Sequence, residues 1–125
     1  MRLIANLIFV GLAASLALAQ AASVSAATVS DEKGPARRAY RAECVKYEPQ
    51  GYCECVTAGF AQDLSIQQLT LARLNVRFQH ASSPVARRGA ASEMARTMPD
   101  PDQRRSTLTR IGGLETELQE SCATP

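Results

Sequence analysis

The apolar positions of this chain change pattern twice along its length. Leu3 to Ala19 is an almost continuous apolar run, with Asn6 and Ser15 its only polar members. Residues 22–34 are small and polar with no period, which predicts a flexible leader. From Pro35 the apolar residues return at helical spacing, and a folded domain is expected over 35–122.

Within that domain Tyr40, Cys44 and Tyr47 recur at i, i+4 and i+7, predicting one face of a helix that starts near Pro35 and ends before Pro49. Glu48 to Gly51 reads as a turn. A second helix is expected from about Tyr52, with Cys53, Val56, Phe60 and Leu64 on one stripe. Gly59 and Ala61 are small enough for a neighbouring helix to approach. Ser65 followed by Gln68 is a capping box, and Leu64 can staple onto Leu69. Residues 69–78 are two-faced: Leu69, Leu71, Leu74, Val76 and Phe78 partly alternate like a strand, yet they also form the helical rows 69/72/76 and 71/74/78. The capping box favours the helix. Ser83-Pro84 opens a weaker helix with apolar Val85, Ala91, Met94 and Met98. The two methionines are expected as core filler, not metal ligands. Asp100-Pro101 caps a last helix carrying Leu108, Ile111, Leu114, Leu118 and Cys122 down one side. Gly112-Gly113 is expected to kink it or to admit a close neighbour. The fold class is thus all-α, a bundle of four to five helices.

The N-terminal run changes the picture of where such a bundle works. Met1-Arg2 is a short positive start, and the 17 apolar-run residues fall short of the ~20 that a bilayer-spanning helix needs. Cleavage-compatible alanines follow. The pattern predicts a signal peptide over 1–21 cut after Ala21, with Ala26 as the alternative. No cysteine follows the run until Cys44, so a lipoprotein anchor is not expected. The mature chain would be exported, to the periplasm or beyond, with no stable membrane insertion.

Composition adds a constraint on stability. The 125-residue chain carries a net charge of only +2, which gives no argument for a nucleic-acid partner. Beyond residue 21 only 17 residues are Leu, Ile, Val or Phe, below the ~20% at which a core becomes thin. Four cysteines, Cys44, Cys53, Cys55 and Cys122, lie in this exported part. An even count in a short exported chain reads as two disulfides. A Cys53–Cys55 bond would close a tight, strained loop and is disfavoured. If both are helical they point about 200° apart, so one bridges to Cys44 and the other to Cys122. Cys44–Cys55 with Cys53–Cys122 is the expected pairing, because Cys53 shares the apolar stripe that the last helix should cover. Cys44–Cys53 with Cys55–Cys122 is the alternative. Either way the Cys122 bridge closes more than 60 residues, worth ~4 kcal/mol in the chain-entropy account.

Tyr52-Cys53-Glu54-Cys55, the Leu64-Ser65 helix start and the late Cys122 together resemble a loose group of small exported bacterial proteins. These share one cysteine, a [YF]-C-x-C pair, an L-S-x-x-[EQ]-L helix start and a last cysteine. The resemblance spans Glu43 to Leu69 plus Cys122. It implies a helical fold and two disulfides, and no activity.

No phosphate loop, nucleophile elbow or zinc-protease spacing is present. His80, the single histidine, is expected at a helix end or in solvent. The pairs Arg37-Arg38, Arg87-Arg88 and Arg104-Arg105 read as solvated surface balanced by Glu115, Glu117 and Glu120. No catalytic residue, metal site or cofactor is expected. The function expected from sequence is a non-enzymatic binding or envelope-structural module with an unidentified protein partner. The alternative is thiol–disulfide exchange or soft-metal handling through Cys53-Glu54-Cys55.

Overall fold

In the computed structural model, residues 32–123 are described. The expected signal peptide, its expected cleavage site and most of the expected leader lie outside them. Five helices follow one another: α1 (Gly34–Cys44), α2 (Gln50–Asp63), α3 (Ile66–Gln79), α4 (Pro84–Thr97) and α5 (Pro101–Cys122). The all-α expectation holds, and residues 69–78 are helix.

Local chemistry sets the helix starts. Ser65 Oγ accepts from the Gln68 amide while the Gln68 side chain accepts from the Ser65 amide, a complete capping box. Ser83 caps the Ala86 amide, and Asp100 caps Asp102 and Gln103. Prolines follow both caps, where the missing N–H costs nothing. The first helix begins one residue earlier than the pattern predicts. Gly34 is helical, and Lys33 Nζ donates to Ala61 O at 2.8 Å, so both belong to the bundle and not to the leader. That helix also stops sooner. The Lys46 and Tyr47 amides turn to the carbonyls three residues back, Glu43 O and Cys44 O, which tightens the chain ahead of Pro49. Tyr47 therefore leaves the buried face and is 41% exposed.

Neighbouring helices run antiparallel, as their end contacts show. The Cys44–Cys53 bond ties the end of α1 to the start of α2, and the Lys33–Ala61 contact joins their other ends. Gln67 donates to Thr97 O between α3 and α4. Arg110 donates to Asp63 O, and Cys122 is bonded to Cys55, between α5 and α2. Helix α1 packs on α2 and α3, α2 packs on α5, and α5 closes onto α3, while α4 docks chiefly on α3.

Helix α3 is therefore clasped from two sides. Leu69, Leu71, Ala72 and Leu74 are all buried. Val76 lines a cleft with residues of α1, α2 and α5, whereas Phe78 lies under Arg87 of α4. Burial on both faces produces the partial alternation in the sequence.

Three packing expectations need correction. Helix α4 buries Ala90, Met94 and Met98, while Val85 is 70% exposed and Ala91 faces solvent. Met94 and Met98 are buried as expected, but Ala90 takes the place of Ala91 and Val85 is left outside the core. Gly112-Gly113 does not interrupt α5 and admits no close neighbour: the helix is continuous and a Cβ at either would meet nothing. The pairing of cysteines is Cys44–Cys53 and Cys55–Cys122, not Cys44–Cys55 and Cys53–Cys122.

The reason for the pairing is at Gly59. A Cβ there would lie 3.0 Å from Leu118 Cδ1 and 3.2 Å from Cγ, and closer still to Cδ2. Helix α5 thus packs on the Gly59 face of α2, and Cys55, one turn earlier on that face, meets Cys122. Cys53, fully buried, points instead into the core with Val56 and Phe60, where Cys44 awaits it.

These contacts separate two classes of glycine. Gly59→Val should lower the melting temperature by more than 5 °C, since an overpacked contact costs about 1–3 kcal/mol. Gly113→Ala should raise stability by about 0.5–1 kcal/mol through helix propensity alone. Thermal unfolding followed by circular dichroism measures both.

Candidate functional site

The four cysteines, the chief site residues expected from sequence, are divided between two environments. Cys44 and Cys53 are 4% and 0% exposed. Cys55 is exposed and Cys122 half-buried. No cysteine is free. Cys53 and Cys55 belong to different bonds on different faces of α2, so Cys53-Glu54-Cys55 is not one paired unit. A metal held by both sulfurs would require both bonds to open first. Among the described residues no three His, Cys, Asp or Glu side chains come together as a metal site.

The sequence reading passed over Glu43, which is only 4% exposed. Its carboxylate accepts from Arg77 Nη2 and Lys46 Nζ, each at 3.1 Å, and Arg77 extends the network to Glu93 at 3.5 Å. Arg77 thereby links α1, α3 and α4. Burial works to raise the Glu43 pKa, but the Arg77 and Lys46 hydrogen bonds and charges outweigh it and hold the carboxyl below its ordinary value. The available signal was position: Glu43 follows Tyr40 by three residues on the inner face of α1.

The arginine pairs have separate fates. Arg104 donates to Met98 O, closing the corner between α4 and α5. Arg105 pairs with Asp102, and Arg87 covers the Phe78 ring. Arg37, Arg38 and Arg41 line an open hollow of about 270 Å³ between α1 and α2, where Arg41 lies 3.6 Å from Glu54. The hollow is broad and solvated, as expected of a surface face.

A smaller and more enclosed cleft lies at the bundle end where α1, α2, α3 and α5 converge. Its volume is about 50 Å³, and Tyr40, Tyr47, Tyr52, His80, Glu48 and Glu115 are among its walls. Tyr47 stacks on His80 with ring centroids 4.0 Å apart and 10° between planes. His80 is the C-cap residue of α3, a helix end as predicted. Tyr40 is held edge-on against Phe60 at 5.2 Å. Burial first, then the negative field of Glu115, pushes the Tyr40 phenol far up; the same two causes, with Glu48, raise Tyr52. Glu115 itself is raised, by burial first and by Glu48, with His80 opposing. Among the described residues no salt bridge reaches Glu115 or Glu48. Glu115 was expected as surface charge; the cleft comes from chain crossings that no local pattern records.

Comparison of the chain with protein-family models, with curated proteins and with solved structures returns no match.

The buried Glu43 and the half-buried Glu115 predict opposite pH behaviour. Glu43 is depressed, so its stabilisation is present above its ordinary pKa and fades as pH falls through the lower folded value. Glu115 is raised, so its ionisation costs stability once pH exceeds its ordinary value, and acid relieves that cost. Arg77→Met should cost about 2 kcal/mol at pH 7, less than a fully buried pair would, since Arg77 is 37% exposed. It should also flatten the acid limb. Glu115→Gln should raise the melting temperature at pH 7 and leave it unchanged well below pH 4. Melting curves across pH measure both effects.

Proposed function

We propose that this protein is an exported, non-enzymatic helical module, serving as a binding or envelope-structural component, whose cysteines hold its shape. The observation that carries the reading is that all four sulfurs are committed to two bonds gripping α2, one to α1 and one to α5. Disulfides of this kind are characteristic of oxidising compartments. The apolar run and alanine cluster before residue 27 agree with export, and the periplasm is the proposed compartment. No described helix is long and apolar enough to cross a membrane. An unidentified protein partner is part of this proposal.

One observation favours the alternative of thiol–disulfide exchange. Cys55 is exposed, so a thiolate from solution could attack the Cys55–Cys122 bond. Soft-metal handling has no comparable support, because it needs both bonds reduced.

Both bonds should stay closed in a mild glutathione buffer, read by alkylation and intact mass, and the oxidised protein should show no isomerase activity. Reversible opening of Cys55–Cys122 near the potential of known exchange proteins, with isomerase turnover, would overturn the structural reading. Cys55→Ser with Cys122→Ser should remove about 4 kcal/mol of stability, and Cys44→Ser with Cys53→Ser at least about 2.5 kcal/mol, from the two loop lengths. A four-serine variant as heat-resistant as the parent would refute the role assigned to both bonds. Intact mass of the exported protein reports the cleavage site.

A further inference from the structure

The enclosed cleft has a composition that its packing role does not explain. All three tyrosines of the chain and its single histidine meet there, although they are spread from position 40 to position 80. Neither lysine nor arginine lines it, in a chain with 14 of them. Glu48 and Glu115 add two carboxylates without a salt-bridge partner among the described residues. Tyr47, one of its walls, remains 41% exposed with its ring stacked on His80.

Aromatic faces and carboxylates attract the same kind of ligand. The ring quadrupole presents negative potential above its face, so tyrosine walls favour a cation that has lost part of its water. A carboxylate in such a place gains from any positive group that replaces its hydration. We propose that this cleft binds a primary alkylammonium group, with Tyr40, Tyr47 and Tyr52 as walls and Glu115 as its counter-charge.

Size narrows the class. The cleft is small, about 50 Å³, and suits a compact head group more than an extended ligand; a quaternary ammonium has no N–H to offer its acceptors. A primary ammonium also carries three N–H donors, which suit Glu115, Glu48 and the phenol oxygens. The group could arrive as a free amine or as a lysine side chain of a partner. Burial is the first cause of the raised Glu115 and Tyr40 pKa values, with His80 opposing at Glu115, which agrees with a cleft partly withdrawn from water. This inference rests on reading the protein as a binding module and names what it binds.

The test uses the oxidised protein in low-salt buffer at pH 7.5. The chain has no tryptophan and only these three tyrosines, so tyrosine fluorescence reports the cleft alone. Titration with n-butylammonium should give a saturable change, whereas tetramethylammonium and neutral n-butanol should not. A blocked Gly-Lys-Gly peptide distinguishes the sources: a matching response assigns a lysine side chain, and its absence assigns a free amine. Glu115→Gln should weaken butylammonium binding by ~10-fold or more, the scale of one desolvated cation contact. Glu117→Gln, on the exposed face of α5, should leave it unchanged. Circular dichroism confirms that both variants are folded. No saturable response to butylammonium, an equal response to tetramethylammonium, or intact binding in Glu115→Gln would each overturn the proposal. None of these results bears on the glutathione assay, so the module reading stands or falls separately.

Discussion

The structure depends on α2 being held from both sides. Of the few large apolar residues of the described helices, several sit on this helix or against it, and Val56, Phe60 and Leu64 are each 1% exposed. That apolar layer is thin for a domain of this size. The two disulfides reduce the freedom of the unfolded chain, one across 9 residues and the other across 67, and the longer closure contributes more in the entropy account. The short bond fixes the α1–α2 hairpin beside the core. The long one brings the far end of the chain back onto the first half, where the contact of Leu118 with Gly59 keeps α5 close.

Once α2 is gripped, the remaining packing follows from α3. Among the described helices it alone has leucines buried on two sides, and both α1 and α4 rest on it. The ion pairs around Arg77 tie these same three helices together at their polar edge. A buried carboxylate is tolerable there because two cations donate to it directly. The contrast with Glu115 is physical: it is partly desolvated, has no direct salt-bridge donor, and shares its cleft with aromatic rings, a second carboxylate and His80. The same residue type is thus directly paired in one part of the bundle and only distantly balanced in another. That difference sets the small gap between helix ends apart as the proposed place for a ligand.

Much of the local structure was legible from residues alone. Ser65 with Gln68, Ser83 with Pro84 and Asp100 with Pro101 each start a helix, because the capping partners lie within three residues in sequence. The stripe of Cys53, Val56 and Phe60 was also legible, since a helix face is a matter of spacing. The methionines Met94 and Met98 are core filler for the same reason.

What sequence could not decide was which stripe meets which neighbour. The cysteine partners turned on Gly59, whose missing side chain invites α5 onto the opposite face of α2 from the one the apolar pattern suggested. The end of α1, the exposure of Val85 and the unbroken course of α5 through Gly112-Gly113 were likewise settled by what packs nearby. Glu43 and the tyrosine cleft escaped notice because their partners lie up to 75 positions apart, from Tyr40 to Glu115. Helix identity and capping arise from interactions within a few residues, so the sequence determines them directly. Pairing, burial of charge and the shape of a cleft arise from interactions between distant segments, and only the assembled bundle brings those into contact.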